Sequence, residues 1–375
     1  MKIVCSKPEL LKGVSIVLKA IPTRTTMPIL ECILINATTG KIQLTANDME
    51  LGIETVIEGS IEQSGMIALN ARFLSELVRK LPDADVVIET SDHLKTTITC
   101  DQSKFDIQGM DGEEFSYLPY VERDQLIEIS QFTLKEVIRQ TIFSISDKDS
   151  NRVMTGELFE LEENKLQVAS LDGHRVSIRN IDLNRSYQKT RMIVPGKTLQ
   201  EVSKILTGDL EDIVHIYYTA NHILFEFDQT MVVSRLIDGE YFQIKQMLTS
   251  DYETKVTINK KVLLDCIDRA TLLSDENDKR PIIMKIADSV MKLQIRSKKG
   301  KMNEKLEINQ DGKELLIGFN PKFYIDALRV IDEEEISLYM TSAKAPCFIK
   351  DEKESFIYLI LPVNFSEADF SEEDL

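Results

Sequence analysis

The sequence predicts an α+β protein of three repeated domains, each with two helices packed on antiparallel sheets. Two observations carry that expectation: a helix-opening motif recurs at a fixed interval, and alternating strand runs recur between its copies. Leu69-Asn70-Ala71-Arg72-Phe73-Leu74, Val194-Pro195-Gly196-Lys197-Thr198-Leu199 and Phe319-Asn320-Pro321-Lys322-Phe323-Tyr324 each read as a strand end, a turn and a helix start. Successive copies begin 125 residues apart, a domain-sized period rather than a solenoid-sized one.

Each helix continues with apolar residues at helical spacing: Leu74, Leu77, Val78 and Leu81, then Leu199, Val202 and Leu206, then Tyr324, Ala327, Leu328 and Ile331. A second helix precedes each, with stripes Leu10, Leu11, Val14, Val17, then Leu134, Val137, Ile138, then Leu263, Leu264, Ile267. Strand runs repeat as Ile42-Gln43-Leu44, Leu166-Gln167-Val168 and Leu293-Gln294-Ile295, and Thr96-Thr97-Ile98-Thr99-Cys100 and His215-Ile216-Tyr217-Tyr218 add strand character. Helices segregated to one side of antiparallel sheets make an α+β domain. The expected domains are 1–126, 127–250 and 251–366, followed by an acidic tail, 367–375. No Pro-rich or Gly/Ser-rich linker separates them, so a fixed packing is expected.

The chain has 375 residues, of which 43% are hydrophobic and 29% charged, enough for a packed core in each domain. No apolar run approaches the roughly 20 residues that span a bilayer, and the first residues lack a signal-peptide core; a cytoplasmic protein without membrane contact is expected. The five cysteines, Cys5, Cys32, Cys100, Cys266 and Cys347, form no CxxC pair and read as small buried apolar residues. No cofactor or metal is expected.

A net charge of −17 argues against nucleic acid on average, yet the placement of the 45 basic residues matters more. Arg72 and Arg79 are two helical turns apart, opposite the apolar stripe. Lys197 and Lys204, then Lys322 and Arg329, repeat them at the same offsets. One reading is an ordinary solvated face. The sharper reading is that three faces line one surface whose spaced cations track phosphates without reading bases.

Further stretches carry a family resemblance: Arg24-Thr25-Thr26-Met27-Pro28-Ile29-Leu30, Asn47-Asp48-Met49-Glu50-Leu51, Leu171-Asp172-Gly173-His174-Arg175-Val176, Ser234-Arg235-Leu236-Ile237-Asp238-Gly239 and Tyr358-Leu359-Ile360-Leu361-Pro362-Val363. In order and spacing they resemble the bacterial DNA polymerase III beta subunits, the sliding clamps, to about Phe365. The resemblance implies a non-catalytic processivity factor in which each chain forms half of a closed ring, the DNA clamp fold. Two chains join head to tail around double-stranded DNA, the first domain of one meeting the third of the other. Phe105 and Ile107 match one side of that joint, and Leu272 and Leu273 the other. Arg24 matches a DNA-contacting arginine, and Lys148 and Arg152 lie in a second DNA-touching loop. This loop carries charge where relatives can have Gln and Tyr.

The resemblance also implies a groove between the second and third domains that takes short peptides from the DNA polymerase III alpha subunit, the clamp loader and other clamp-binding proteins. Matching positions are Met154, Leu171, Gly173, His174, Arg175, Val176, Met247, Ile360, Leu361, Pro362 and Val363. Methionine and aliphatic side chains suit an adaptable apolar cleft. Leu171, Phe242, Lys344 and Pro346 depart from common family residues at the groove and its rim, which implies altered peptide preference. Asp172-Gly173-His174-Arg175 leaves three readings open: a groove wall, a structural Asp-Gly turn, or an acid–base pair. On an extended strand these neighbours point to opposite faces, and no GxSxG, HExxH or Walker-A motif accompanies them.

Overall fold

The structure, a computed structural model, describes residues 1–91, 93–147, 151–248, 251–274 and 280–366. Lys148 and the acidic tail lie outside the described residues. The first repeat runs β1 (Lys2–Ser6), α1 (Lys7–Val17), β2 (Cys32–Asn36), β3 (Ile42–Asn47), β4 (Leu51–Ile57), β5 (Ser60–Gln63), β6 (Met66–Asn70), α2 (Ala71–Lys80), β7 (Asp85–Thr90), β8 (Lys95–Cys100) and β9 (Ser103–Gln108). The second runs β10 (Leu126–Ser130), α3 (Gln131–Thr141), β11 (Gly156–Leu171), β12 (Arg175–Pro195), α4 (Gly196–Ile205), β13 (Ile213–Tyr218), β14 (His222–Phe227) and β15 (Thr230–Arg235). The third runs β16 (Thr254–Asn259), α5 (Lys260–Thr271), β17 (Ile282–Ala287), β18 (Val290–Ser297), β19 (Gly300–Glu307), β20 (Asn309–Gly312), β21 (Leu315–Phe319), α6 (Pro321–Val330), β22 (Glu335–Met340), β23 (Cys347–Lys350) and β24 (Phe356–Ile360).

The helices start where the sequence supplies caps. The side chains of Asn70, Asn259 and Asn320 accept hydrogen bonds from the amides of Phe73, Val262 and Lys322, satisfying donors that the first helical turn leaves open. Every residue of the three second-helix stripes is buried, and so are Leu10, Val14 and Val17, Leu134, Val137 and Ile138, and Leu263 and Ile267 in the first helices. All five cysteines are buried and unpaired. Desolvation pushes the Cys5, Cys266 and Cys347 thiols up to about 12, away from reactive thiolates.

The three repeats are joined to one another by continuous sheets. The chain forms two compact units, Met1–Lys135 with Lys197–Leu236, and Glu136–Gly196 with Ile237–Leu375, so the second repeat is divided between them. The cause is strand pairing across repeat borders. In the first unit an eight-stranded sheet has the order β10-β13-β14-β15-β4-β3-β2-β6, in which β15 pairs with β4 of the first repeat. In the second unit a seven-stranded sheet has the order β11-β12-β24-β23-β22-β16-β20, in which β24 pairs with β12 of the second repeat. Each union pairs two strand edges that would otherwise expose backbone donors and acceptors. A five-stranded sheet, β5-β1-β7-β8-β9, completes the first unit and a four-stranded one, β19-β18-β17-β21, the second.

The register of the two joints is the same. Paired residues form a row across each repeat: Ile3, Ile88, Ile98 and Phe105 in the first, Ile127, Ile216, Phe225 and Val232 in the second, and Val256, Leu338, Ile349 and Tyr358 in the third. The second row continues from Val232 to Ile53, and the third from Tyr358 to Ser177. Ile53 and Ser177 are themselves matched, opposite Ala46 and Ser170, each four residues beyond the recurring Ile42 and Leu166. The corresponding place in the third repeat is Gly300, opposite Ser297. The first row stops at Phe105 on β9. Among the described residues β9 pairs only with β8, and β19 only with β18.

Candidate functional site

The cationic helix positions are where periodicity put them. Arg72, Arg79, Lys197, Lys204, Lys322 and Arg329 are all exposed, on helix faces opposite buried stripes. Arg72 donates a hydrogen bond to the Thr23 carbonyl at 3.3 Å, which brings the loop carrying exposed Arg24 to the start of α2. Lys197 meets Asp48, Lys204 lies 2.8 Å from Glu201, and Arg329 lies 3.3 Å from Asp268. The lysine side chains stay 57% exposed and Arg329 61%. The exposed Arg329–Asp268 pair contributes about 0–1 kcal/mol, whereas Asp48 and Glu201, whose side chains are 9% and 18% exposed, hold their lysines from more sheltered positions. Arg152 opens a single helical turn, exposed. Arg24, Arg72, Arg79, Lys197 and Lys204 belong to the first compact unit, and Arg152, Lys322 and Arg329 to the second.

Behind these helices the two joints differ. At the joint in the second unit, Arg139 of α3 donates to the Val330 carbonyl at the end of α6 and to both oxygens of Asp332, with Glu136 also against its guanidinium. At the joint in the first unit, Ser15 and Thr207 stand at the places of Arg139 and Asp332, and a cavity of about 600 Å³ opens between α1 and α4. Installing the missing cluster as Lys12→Glu, Ser15→Arg and Thr207→Asp is expected to stabilise the first unit by about 0.5–1 kcal/mol. A rise in its thermal midpoint checks this; an unchanged or lowered midpoint refutes it.

The peptide-groove positions gather in the second unit. Leu171 and Val176 are buried in an apolar cluster with Leu158, Ile178, Leu359 and Tyr241, and Met154, Phe242 and Leu248 pack against it, partly buried. Met247 and Leu361 are 38% exposed apolar residues. The Leu361 amide donates to the His174 carbonyl at 2.9 Å, tying the chain after β24 to the turn between β11 and β12. Pro362 and Val363 are half-buried, and Gly173 and His174 are exposed. Two expected wall residues face elsewhere. Ile360 packs into the separate cluster beneath α5 and α6, because alternation on β24 turns Leu359 toward one face and Ile360 toward the other. Arg175 is 8% exposed and serves as an internal strut. Motif matching names positions but not facing, so it passed over Ile178 and Leu359; strand alternation was the signal that points to them.

The expectation that Asp172–Arg175 is extended is corrected by the geometry. Gly173 has φ of +87°, a conformation a side chain would strain, and the four residues form a tight turn. Asp172 accepts from the His174 and Arg175 amides and from the Arg175 guanidinium at 3.0 Å. Arg175 also reaches Asp326 of α6 at 2.7 Å and the Phe143 carbonyl, and lies over the Phe143 and Phe323 rings. The His174 ring stacks on Phe323, 5.9 Å between centroids. Asp172 is thus committed to holding Arg175, which favours the structural turn over an acid–base pair.

Phe105 (39% exposed) and Ile107 lie on the β9 edge, and Leu272 (75% exposed) and Leu273 follow α5. A Cβ placed on Gly300 would lie 3.8 Å from Leu273. Exposed Phe105 and Leu272, with half-buried Ile107 and Leu273 next to them, lie beside strand edges that are unpaired among the described residues, the mark of a surface built to be covered.

Family models decide what such a three-repeat chain is. The DNA polymerase III beta subunit N-terminal, central and C-terminal domain models match residues 1–119, 128–243 and 245–364. The chain belongs to the DNA polymerase III beta subunit family. The beta sliding clamp of Bacillus subtilis (strain 168) is 37% identical over 97% of this chain and 99% of its own. That of Staphylococcus aureus (strain Mu50) is 34% identical over 92% and 94%. A crystal structure of a Eubacterium rectale ATCC 33656 chain, assigned as DNA polymerase III beta subunit, superposes with a TM-score of 0.95 at 66% identity over 97% and 99% of the two chains. As a beta sliding clamp the protein is a DNA polymerase III processivity subunit, not an enzyme. Among the described residues, no helix is long and apolar enough to cross a membrane.

Proposed function

We propose that two copies of this clamp join head to tail into a ring around duplex DNA, with domains 1–126, 127–250 and 251–366. The observation that carries the reading is the repeated joint. Inside the chain a β15-type edge pairs with a β4-type edge twice, in one register. Among the described residues one edge of each type, β9 and β19, is left over. A third use of the same joint between copies sets Phe105 opposite the partner's Gly300, where the missing side chain leaves room for the ring against Leu273. A heterologous contact of this kind closes when the rotation permits. Arg24, Arg72, Arg79, Arg152, Lys197, Lys204, Lys322 and Arg329 then contact phosphates inside the ring. The Leu171–Val176 cluster, with Met154, Met247 and Leu361–Val363, docks extended peptides of the polymerase alpha subunit, the clamp loader and other partners in the cytoplasm.

The test is mass and topology. The protein is expected to run at twice the mass of one chain, and Phe105→Glu to run as one. Loaded on nicked circular DNA, the native protein is expected to stay bound through gel filtration and to leave on linearisation, and Lys197→Glu with Lys204→Glu to lower retention several-fold. A monomer at micromolar concentration, or equal retention on circles and linear DNA, overturns the reading.

A further inference from the structure

We infer that the joint between copies is held by helix charges of its own: Asp265 and Asp268 on α5 of one copy meet Arg79 and Lys80 at the end of α2 of the other. This rests on the ring reading above and adds the polarity of its contact. The repeat supplies the alignment. From the first buried leucine of each first helix, Leu10, Leu134 and Leu263, the position two residues on is Lys12, Glu136 or Asp265, and five residues on it is Ser15, Arg139 or Asp268. In the second helices, the places of Arg79 and Lys80 are taken by Lys204 and Ile205, then by Arg329 and Val330.

Both internal joints bring these positions together. In the first unit Lys12 and Ser15 border one cavity with Lys204 and Ile205. In the second unit Arg139 bonds the Val330 carbonyl at 3.2 Å. Repeated a third time, the arrangement sets Asp265 and Asp268 against Arg79 and Lys80. All four are exposed in the single chain. Ile205 is buried and Val330 half-buried at the internal joints, whereas the matching residue on α2 is a lysine. An apolar residue suits a joint within one chain. An exposed lysine suits a surface that spends time in water before its partner arrives.

The polarity is the reverse of the internal case. There the first helix contributes the cation, Arg139, and the acid, Asp332, follows the second helix. Here the first helix is acidic and the second basic. The strands bring both signs: the shared register sets Lys104 opposite Lys301, and Asp106, which Lys95 engages at 3.1 Å in its own chain, opposite Lys299. Asp268 also lies 3.3 Å from Arg329 in its own chain, an exposed pair at 59% and 61% that leaves room for a second cation. The acidic residues that break the basic pattern of α5 thereby acquire a role, and Arg79 belongs to the joint as well as to the cation track.

The experiment uses two full-length variants, Arg79→Glu with Lys80→Glu, and Asp265→Lys with Asp268→Lys, and follows mass against concentration. Each alone places like charges at both joints and is expected to raise the dimer dissociation constant about 100-fold. Mixed, each joint again carries opposite charges, and a one-to-one heterodimer with near-native affinity is expected. A native protein that is itself monomeric overturns the ring reading. A native dimer with both variants dimerising equally well overturns this inference alone. Weakened variants whose mixture stays monomeric also overturn it, because loss of fold rather than charge would then explain them.

Discussion

Arg175→Ala is expected to destabilise the second compact unit by about 3–5 kcal/mol, the cost of leaving buried charges without their partner. The guanidinium is 8% exposed and ties three segments: Asp172 in the turn, Asp326 on α6 and the Phe143 carbonyl, with Phe143 and Phe323 on its faces. Removing it strands two partly buried carboxylates, whose side chains are 15% and 22% exposed. Lysine is expected to recover less than half, since one ammonium cannot reproduce the planar fork that bonds Asp172 and Asp326 together. Urea melts of the three proteins check this. The turn also sets the His174 carbonyl that receives Leu361, so peptide affinity is expected to fall with stability. Alanine within 1 kcal/mol of the native protein would remove Arg175 from its structural role.

The second large effect is a pH dependence centred on Glu157. This carboxyl is fully buried on β11, on the face opposite Leu158, and neither oxygen has a hydrogen-bond partner among the described residues. Burial is the larger influence and pushes it up to about 8; the nearby Thr141 hydroxyl acts in the opposite direction, but it donates its hydrogen bond to the Val137 carbonyl. The folded state therefore holds a proton that the unfolded chain releases near its ordinary carboxylate value. Its contribution to stability is fully present below that ordinary value, falls as pH rises, and is lost once pH passes the folded value near 8. Between pH 6 and 9 the native protein is expected to lose about 2–3 kcal/mol relative to Glu157→Gln, whose amide does not titrate. Parallel denaturation curves at pH 6, 7.5 and 9 read the difference directly. A constant gap between the two proteins would mean that the carboxyl is ionised in the fold or reached by water.

Much of the candidate site was legible because it is local. The exposed cations at Arg72, Lys197 and Lys322 follow from helical periodicity against a buried stripe, which any ten residues of the helix contain. Facing on strands was legible only in part. Leu171 and Val176 fell into the apolar cluster as expected, but Ile360 turned to the helix core, and Arg175 looked like surface because nothing nearby in sequence announces Asp326 or Phe143. The same distance hid Glu157: a charged residue in a strand reads as solvated until the helix across from it is known.

By itself the sequence determined the threefold period, the two helices and strand runs of each repeat, the buried stripes and the register of the cations, since each depends on side chains a few residues apart. The tertiary structure decided that the second repeat is divided between two compact units, that β15 seals β4 and β24 seals β12, and that β9 and β19 remain as edges among the described residues. Backbone groups are alike at every residue, so no sequence pattern names which strand satisfies which. Partners more than 170 residues apart, such as Thr55 and Thr230 or Ser177 and Tyr358, become neighbours only when the whole chain has packed.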